Sequence, residues 1–410
     1  MTTTLDNVPQ HLRVDFDIYD PGLCAPADQV NERVAELSAI GPLVYSERYG
    51  GHWIVTRYQE IHDVLRDPAT FSSFPNNLIE HGAGKFLPLE VDPPEHTAYR
   101  HALQPLFNPN RMKALAPRIR AIVNELIDGF AARGEAEYIS EFAHEMPARV
   151  FLALMGWPLE DAPMFTEMTD ITLQGKPGLS EEENVKVRAE AAQQLFGYYA
   201  NVIADRRSRP DADDITKAII DTPVEFEDGK RLLTDEELSN MFFLLLIAGL
   251  HTVQGSLAWG VMHLSDHPEK RQELVDDPDI IPTAVEEILR IEAAVSPGRR
   301  VTKDVELGGV SLHEGDQLLL VLAGANRDSA EFEDPGVLDL HRTPNRHLSF
   351  GSGPHRCLGS HLARVELTIA FEELYRRLPD LRVDRDKPSV SHPSQVRGVA
   401  ALPVTFTPES

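Results

Sequence analysis

The sequence predicts a mainly α protein with small β-sheets (α+β), folded as one domain over residues 1–410. Three observations point there. Helical apolar periodicity dominates from Asn108 to about Leu381, in segments that end near Pro158, Pro210, Pro268 and Pro379. Short alternating apolar runs, the mark of half-buried strands, gather in the first 75 or so residues. No Ser/Gly-rich linker, repeat or low-complexity stretch divides the chain, so a β-rich part (about 1–75) and a helical part (about 90–381) are expected to share one unit.

In chain order, Ala27 to Ile40 reads as a helix. Leu43-Val44-Tyr45 and His52-Trp53-Ile54-Val55, parted by Gly50-Gly51, read as a hairpin. A long helix starts at Thr234-Asp-Glu-Glu237, where Thr234 can cap and Glu237 can return the bond, and it runs to about Asp266, before His267-Pro268. Roughly 32 residues at about 1.5 Å each give on the order of 48 Å, enough to cross a domain. Its middle is apolar all round, so protein should enclose it.

Composition narrows the function. A net charge of −26 argues against nucleic-acid binding, which needs clustered Lys and Arg. Two distant cysteines, Cys24 and Cys357, without a basic and apolar leader predict a cytoplasmic protein rather than a secreted disulfide framework. The longest apolar run, Met241 to Leu250, falls short of the roughly 18 to 20 residues that span a bilayer, so no membrane partner is expected.

The chemistry concentrates around Cys357. In Phe350-Gly-Ser-Gly-Pro-His-Arg-Cys357-Leu-Gly359, three glycines surround one thiol and a helical pattern follows at once. Backbone N–H groups, a helix N-terminus and Arg356 would hold a thiolate there. Cys24 lacks such a setting and reads as a buried free cysteine. Glu287-Ile-Leu-Arg290 puts an acid and a base on one helical face.

The Cys357 segment resembles the haem-binding signature of cytochromes P450, and Glu287 with Arg290 resembles that family's Glu-x-x-Arg motif. The resemblance covers nearly the whole chain. It implies a triangular-prism fold with the long central helix over haem b (iron protoporphyrin IX), Cys357 as axial iron ligand, and Phe350 and Gly359 beside the cofactor. Arg342 stands where the family completes a Glu–Arg–Arg network. His96 and Arg100 of Asp92-Pro-Pro-Glu-His-Thr-Ala-Tyr-Arg100, Arg299 and His355 are implied to hold the haem propionates.

Ala248-Gly249-Leu250-His251-Thr252 lies mid-helix, where small residues admit a planar cofactor and a hydroxyl competes for backbone bonds. In the family this pattern is small-Gly-x-acid-Thr, with Thr supporting oxygen activation and the acid assisting proton delivery. Thr252 matches, whereas His251 replaces the acid. Histidine shuttles protons near neutral pH, so His251 is expected to take over or reroute the relay.

Several segments resemble the camphor 5-monooxygenase type: Val8-Pro-Gln-His-Leu-Arg-Val-Asp-Phe-Asp-Ile-Tyr19, Gly50-Gly-His-Trp-Ile-Val-Thr-Arg57, Phe71-Ser-Ser and Leu233-Thr-Asp-Glu-Glu. That resemblance implies a monomer reduced by a [2Fe-2S] ferredoxin and an NADH-dependent ferredoxin reductase, with Arg111, Lys113, Arg118, Arg356 and Arg364 as docking cations. The expected substrate pocket takes Phe86, Leu89, Leu244, Ile247, Ala248, Ala294, Val295 and Val396, an apolar set suited to a small hydrophobic molecule oxidised with O2. Gly84 stands where the camphor enzyme has its ketone-binding tyrosine, which favours a larger terpenoid or norisoprenoid. A peroxide-driven haem-thiolate enzyme, or a haem-based binding or sensor protein, is the alternative that His251 keeps open.

Overall fold

The computed structural model describes residues 3, 5–24, 28–79, 85–176 and 179–409. Gly84 and the first residue expected in the N-terminal helix, Ala27, lie outside them. That helix spans Val30–Ile40 and buries Val30, Val34 and Leu37 on one face. The hairpin forms as expected, β1 (Leu43–Ser46) pairing antiparallel with β2 (His52–Val55).

Beyond the hairpin the sheet departs from the expectation. Its other strands are β3 (Phe71–Ser72), β4 (Gly298–Val301) and β5 (Gln317–Leu320), in the order β1-β2-β5-β4-β3, with β5 parallel to β2. Two of the five strands therefore come from within the stretch expected to be helical. They are four residues each, too short to register against the surrounding helical periodicity. Leu318, Leu319 and Leu320 are fully buried in a second apolar core beneath this sheet, apart from the larger core among the helices.

The central helix spans Asp235–Asp266, 32 residues, and its capping box is complete: Thr234 Oγ1 accepts from Glu237 N–H at 3.2 Å, and Glu237 Oε2 accepts from Thr234 N–H at 2.8 Å. By length and composition it could cross a membrane, yet 67% of its most apolar window is buried in the protein. It packs on the helices Glu145–Met155, Glu181–Ser208 and Ser360–Arg377 and on the strand Gly398–Ala401. Truncating one of its fully buried leucines, Leu246 or Leu250, to alanine would cost about 2–5 kcal/mol.

The helix Ile281–Ile291 carries Glu287 and Arg290, both fully buried. All five guanidinium N–H groups of Arg290 are used. Nε and one Nη2 hydrogen reach Glu287 at 2.8 and 2.7 Å, and the rest go to the carbonyls of Asn326, Pro335 and Val337. Glu287 also accepts from Arg342 Nε, from Asn345 Nδ2 and from Asp339 N–H. The expected acid–base–base network is thus assembled, and it is saturated.

Candidate active site

The cysteine loop is folded by its own backbone: Cys357 N–H donates to Phe350 O at 2.8 Å and Arg356 N–H to Gly353 O at 3.1 Å. Gly351 and Gly353 sit at φ +66° and +68°, where glycine alone is at ease. A Cβ on Gly353 would also come within 2.5 Å of Leu65 O, so the loop is pinned to the helix Tyr58–Arg66. The helix Ser360–Arg377 begins directly after Gly359. Cys357 keeps accessible surface although protein surrounds it. Burial pushes its thiol up, while the Gly359 N–H and Arg100, Arg356 and Arg364 pull the other way, so a soft cation is what would hold it as thiolate.

The four residues expected to bind propionates come together from three separate places in the chain, His96 and Arg100 sharing the helix Glu95–Leu103. The His96 and His355 rings lie 3.9 Å apart. Burial, then Arg100, lowers His96 to about 4; burial, then His96, Arg299 and Arg100, lowers His355 to about 2. Arg299, only 3% exposed, is lowered by burial to about 10. Arg100 is lowered by burial too, and its Nη2 donates to Arg356 O. The acid facing them is Asp92, 4.0 Å from His355 Nε2, and it already accepts from Ser72 Oγ and Ser73 N–H.

This cluster is short of acceptors. His96 Nδ1 and His355 Nε2 are buried without a hydrogen-bond partner, which a buried polar group tolerates only at a cost of about 1–3 kcal/mol each. Two carboxylates placed among these donors would satisfy them and neutralise the arginines. The residues present therefore fit the propionates of a haem.

On the central helix, Leu244, Ile247, Ala248 and Thr252 keep accessible surface between the fully buried Leu246 and Leu250. Their spacing makes one face. Thr252 Oγ1 donates to Ala248 O at 2.8 Å, so its lone pairs stay free to accept. Gly249 adds no bulk; a Cβ there would merely touch Phe151. Every other expected pocket residue (Phe86, Leu89, Ala294, Val295, Val396) also keeps some accessible surface. The Phe86 ring lies 5.6 Å from Phe243, and Val295 bridges to Val396. Glu90, fully buried and unforeseen from sequence, accepts from Asn76 N–H and Phe86 N–H and so fixes the pocket loop at two points.

His251 sits roughly 100° round the helix from Thr252 and is 5% exposed. Its neighbours were not legible in sequence: Asp170 Oδ1 lies 3.8 Å from His251 Nε2, and the His144 ring is 6.1 Å away. Burial lowers His251 to about 4, with Asp170 opposing. Of the five expected docking cations, Arg111, Lys113, Arg118 and Arg356 are exposed. Arg364 is committed, through two bonds of 2.6 and 2.8 Å, to Glu286.

The comparisons with known proteins agree with this geometry. The family model for cytochrome P450 matches residues 180–403. Mycinamicin IV hydroxylase/epoxidase of Micromonospora griseorubida is 36% identical over 366 residues, covering 86% of this chain and 89% of that protein. A probable cytochrome P450 127A1 of Sinorhizobium fredii is 33% identical over 413 residues, covering 98% and 96%. The solved structure of CYP101J2 matches with a TM-score of 0.86 at 29% identity, covering 99% of this chain and 100% of that one. Fold, motifs and relatives define a haem-thiolate monooxygenase that uses haem b. The chain belongs to the bacterial cytochromes P450.

Proposed function

We propose that this chain hydroxylates a small terpenoid or norisoprenoid, with Cys357 as the thiolate that would hold the haem iron and His96, Arg100, Arg299 and His355 as the residues that would hold the haem propionates. The observation that carries the reading is the acceptor-poor cluster of those two arginines and two histidines, gathered from distant segments. Haem b, when bound, supplies the oxygen-splitting chemistry in which a C–H bond, O2, two electrons and two protons become C–OH and water.

The chain's own residues do the rest. Ala248, Gly249, Phe350 and Gly359 leave room for a planar group between the central helix and the cysteine loop. Thr252 offers its free lone pairs as hydrogen-bond acceptors, and His251 moves protons towards it. Phe86, Leu89, Leu244, Ile247, Ala294, Val295 and Val396 position an apolar substrate, whose unactivated C–H bond needs orientation more than polar grip.

Electrons come from a [2Fe-2S] ferredoxin served by an NADH-dependent reductase, and Arg111, Lys113, Arg118 and Arg356 form its docking face. Arg111 and Lys113 sit on the short helix Pro109–Ala114, which packs on the helix following Cys357. The enzyme works as a cytoplasmic monomer of one domain.

The test is spectroscopic. The reduced carbon monoxide complex should show the red-shifted Soret band of thiolate ligation, and Cys357→Ser should abolish it while Cys24→Ser leaves it intact. Titration with ionones should change the spin state. No spin-state change with any terpenoid would contradict the substrate class. His251→Ala and His251→Asp should both alter turnover and the product-to-NADH ratio, and unchanged values would remove the relay.

A further inference from the structure

We infer that Gln395 is a positioning residue that sets the selectivity of this enzyme: its buried amide holds three walls of the substrate pocket in register, given that Phe86, Leu89, Ala294, Val295 and Val396 line that pocket as proposed. Val295 and Val396 meet as an isolated antiparallel bridge, outside any strand ladder. Two backbone bonds close it, Ser296 N–H to Gln395 O at 2.8 Å and Arg397 N–H to Ala294 O at 2.9 Å. So short a pairing does not hold its own position.

Side chains on either side of Val396 hold it instead. Around a bridged residue the side chains alternate, and burial agrees: Gln395 and Arg397 are each 4% exposed, whereas Val396 keeps accessible surface. The Gln395 amide fills all four of its hydrogen-bonding places. Its Nε2 donates to Ser296 O at 2.9 Å and to Asn76 O at 3.3 Å, and its Oε1 accepts from Leu78 N–H at 2.7 Å and from the Tyr19 hydroxyl at 2.8 Å. Two carbonyls facing a backbone N–H across the amide admit one orientation of it. Ser296 follows Val295, and Asn76 and Leu78 lie in the stretch of chain before Phe86 and Leu89. Arg397 anchors the other flank, donating to Asp28 Oδ1 at 2.7 Å and to Glu292.

A fully satisfied buried amide defines geometry more than it adds stability, because water bonds the same groups in the unfolded chain. What Gln395 fixes is distance. The Val295–Val396 wall and the segment with Asn76 and Leu78 move against each other at the cost of breaking bonds to this one side chain. Glu90 ties the same segment to the next wall, through Asn76 N–H at 3.0 Å and Phe86 N–H at 3.1 Å. Walls held in register present one C–H bond of a substrate for oxidation, and loose ones present several.

The experiment uses haem-loaded protein and iron-binding probes that do not depend on the substrate's identity: imidazole, whose ring stays at the iron, and 1-phenylimidazole and 4-phenylimidazole, which aim one phenyl ring in two directions. Spectral titration gives the Kd values, and hydrogen exchange follows the Leu78 amide. Gln395→Met keeps the side chain's length and removes its hydrogen bonds. It should change the ratio of the two phenylimidazole Kd values on the order of 5-fold and speed Leu78 exchange, with imidazole affinity and the reduced carbon monoxide band unchanged. Tyr19→Phe removes one bond only, decides the matter if Gln395→Met does not fold, and should move the ratio by about 2-fold. Val396→Phe fills the pocket and should weaken both phenylimidazoles. If it does so while Gln395→Met, or Tyr19→Phe in its place, leaves the ratio fixed, the Gln395 inference is overturned and the pocket reading stands; faster Leu78 exchange alone would mark a structural tie. If Val396→Phe is silent, the pocket reading falls and the Gln395 inference falls with it.

Discussion

Two clusters of buried charge in this molecule are built from the same residue types and behave in opposite ways. Around Glu287, every donor of Arg290 and both carboxylate oxygens are engaged by protein atoms. Around Arg299, two arginines and two histidines share one partly committed acid, and two ring nitrogens have no partner. The difference is acceptor count. A saturated buried network holds the fold; a starved one waits for an anion.

The largest effect should come from breaking the saturated cluster. Glu287→Ala leaves Arg290 fully buried without its counter-charge and should cost about 3–5 kcal/mol in chemical unfolding, or prevent folding. Arg299→Gln should do the reverse in the haem-free protein, changing its stability little, because it removes a charge that has no matched partner. Its cost should appear instead as haem affinity lowered on the order of 10- to 100-fold in transfer to apomyoglobin.

Acid sharpens the same contrast. Burial lowers His96 to about 4 in the folded protein, below the ordinary 6.5 of an exposed imidazole, so between those values the unfolded chain binds more protons. Haem-free protein therefore loses stability as pH falls from 6.5 towards 4, by at most about 1.4 kcal/mol per pH unit for one such histidine. His96→Gln should flatten that limb in urea titrations. The smallest effect lies at the surface, where Lys113→Ala should slow ferredoxin association by a factor of about 2 to 5 at low salt, and Arg364→Ala should act through Glu286 rather than through docking.

What could be read from sequence was what is local. The capping box at Thr234 lies three residues from its partner, the Cys357 loop is ten residues long, and Glu287 and Arg290 share one turn. Family resemblance extended that reading to Arg342, His96, Arg100 and Arg299. Strands β4 and β5 escaped because four residues in a helical context carry too few periods. Asp170 escaped because nothing in Met168-Thr-Asp-Ile171 marks it; its meaning comes from a histidine 81 positions on that packing brings within 3.8 Å. In sequence Arg364 reads as a docking cation because its neutralising partner, Glu286, is 78 positions away.

The most direct test of the starved cluster compares binding of iron protoporphyrin IX with that of its dimethyl ester, which keeps the ring and the iron but carries no propionate charge. Wild-type protein should prefer the free acid on the order of 100-fold, and the preference should shrink towards unity in an Arg100→Gln/Arg299→Gln variant. Equal binding of acid and ester by the wild type would contradict the claim that these two arginines and two histidines hold the propionates.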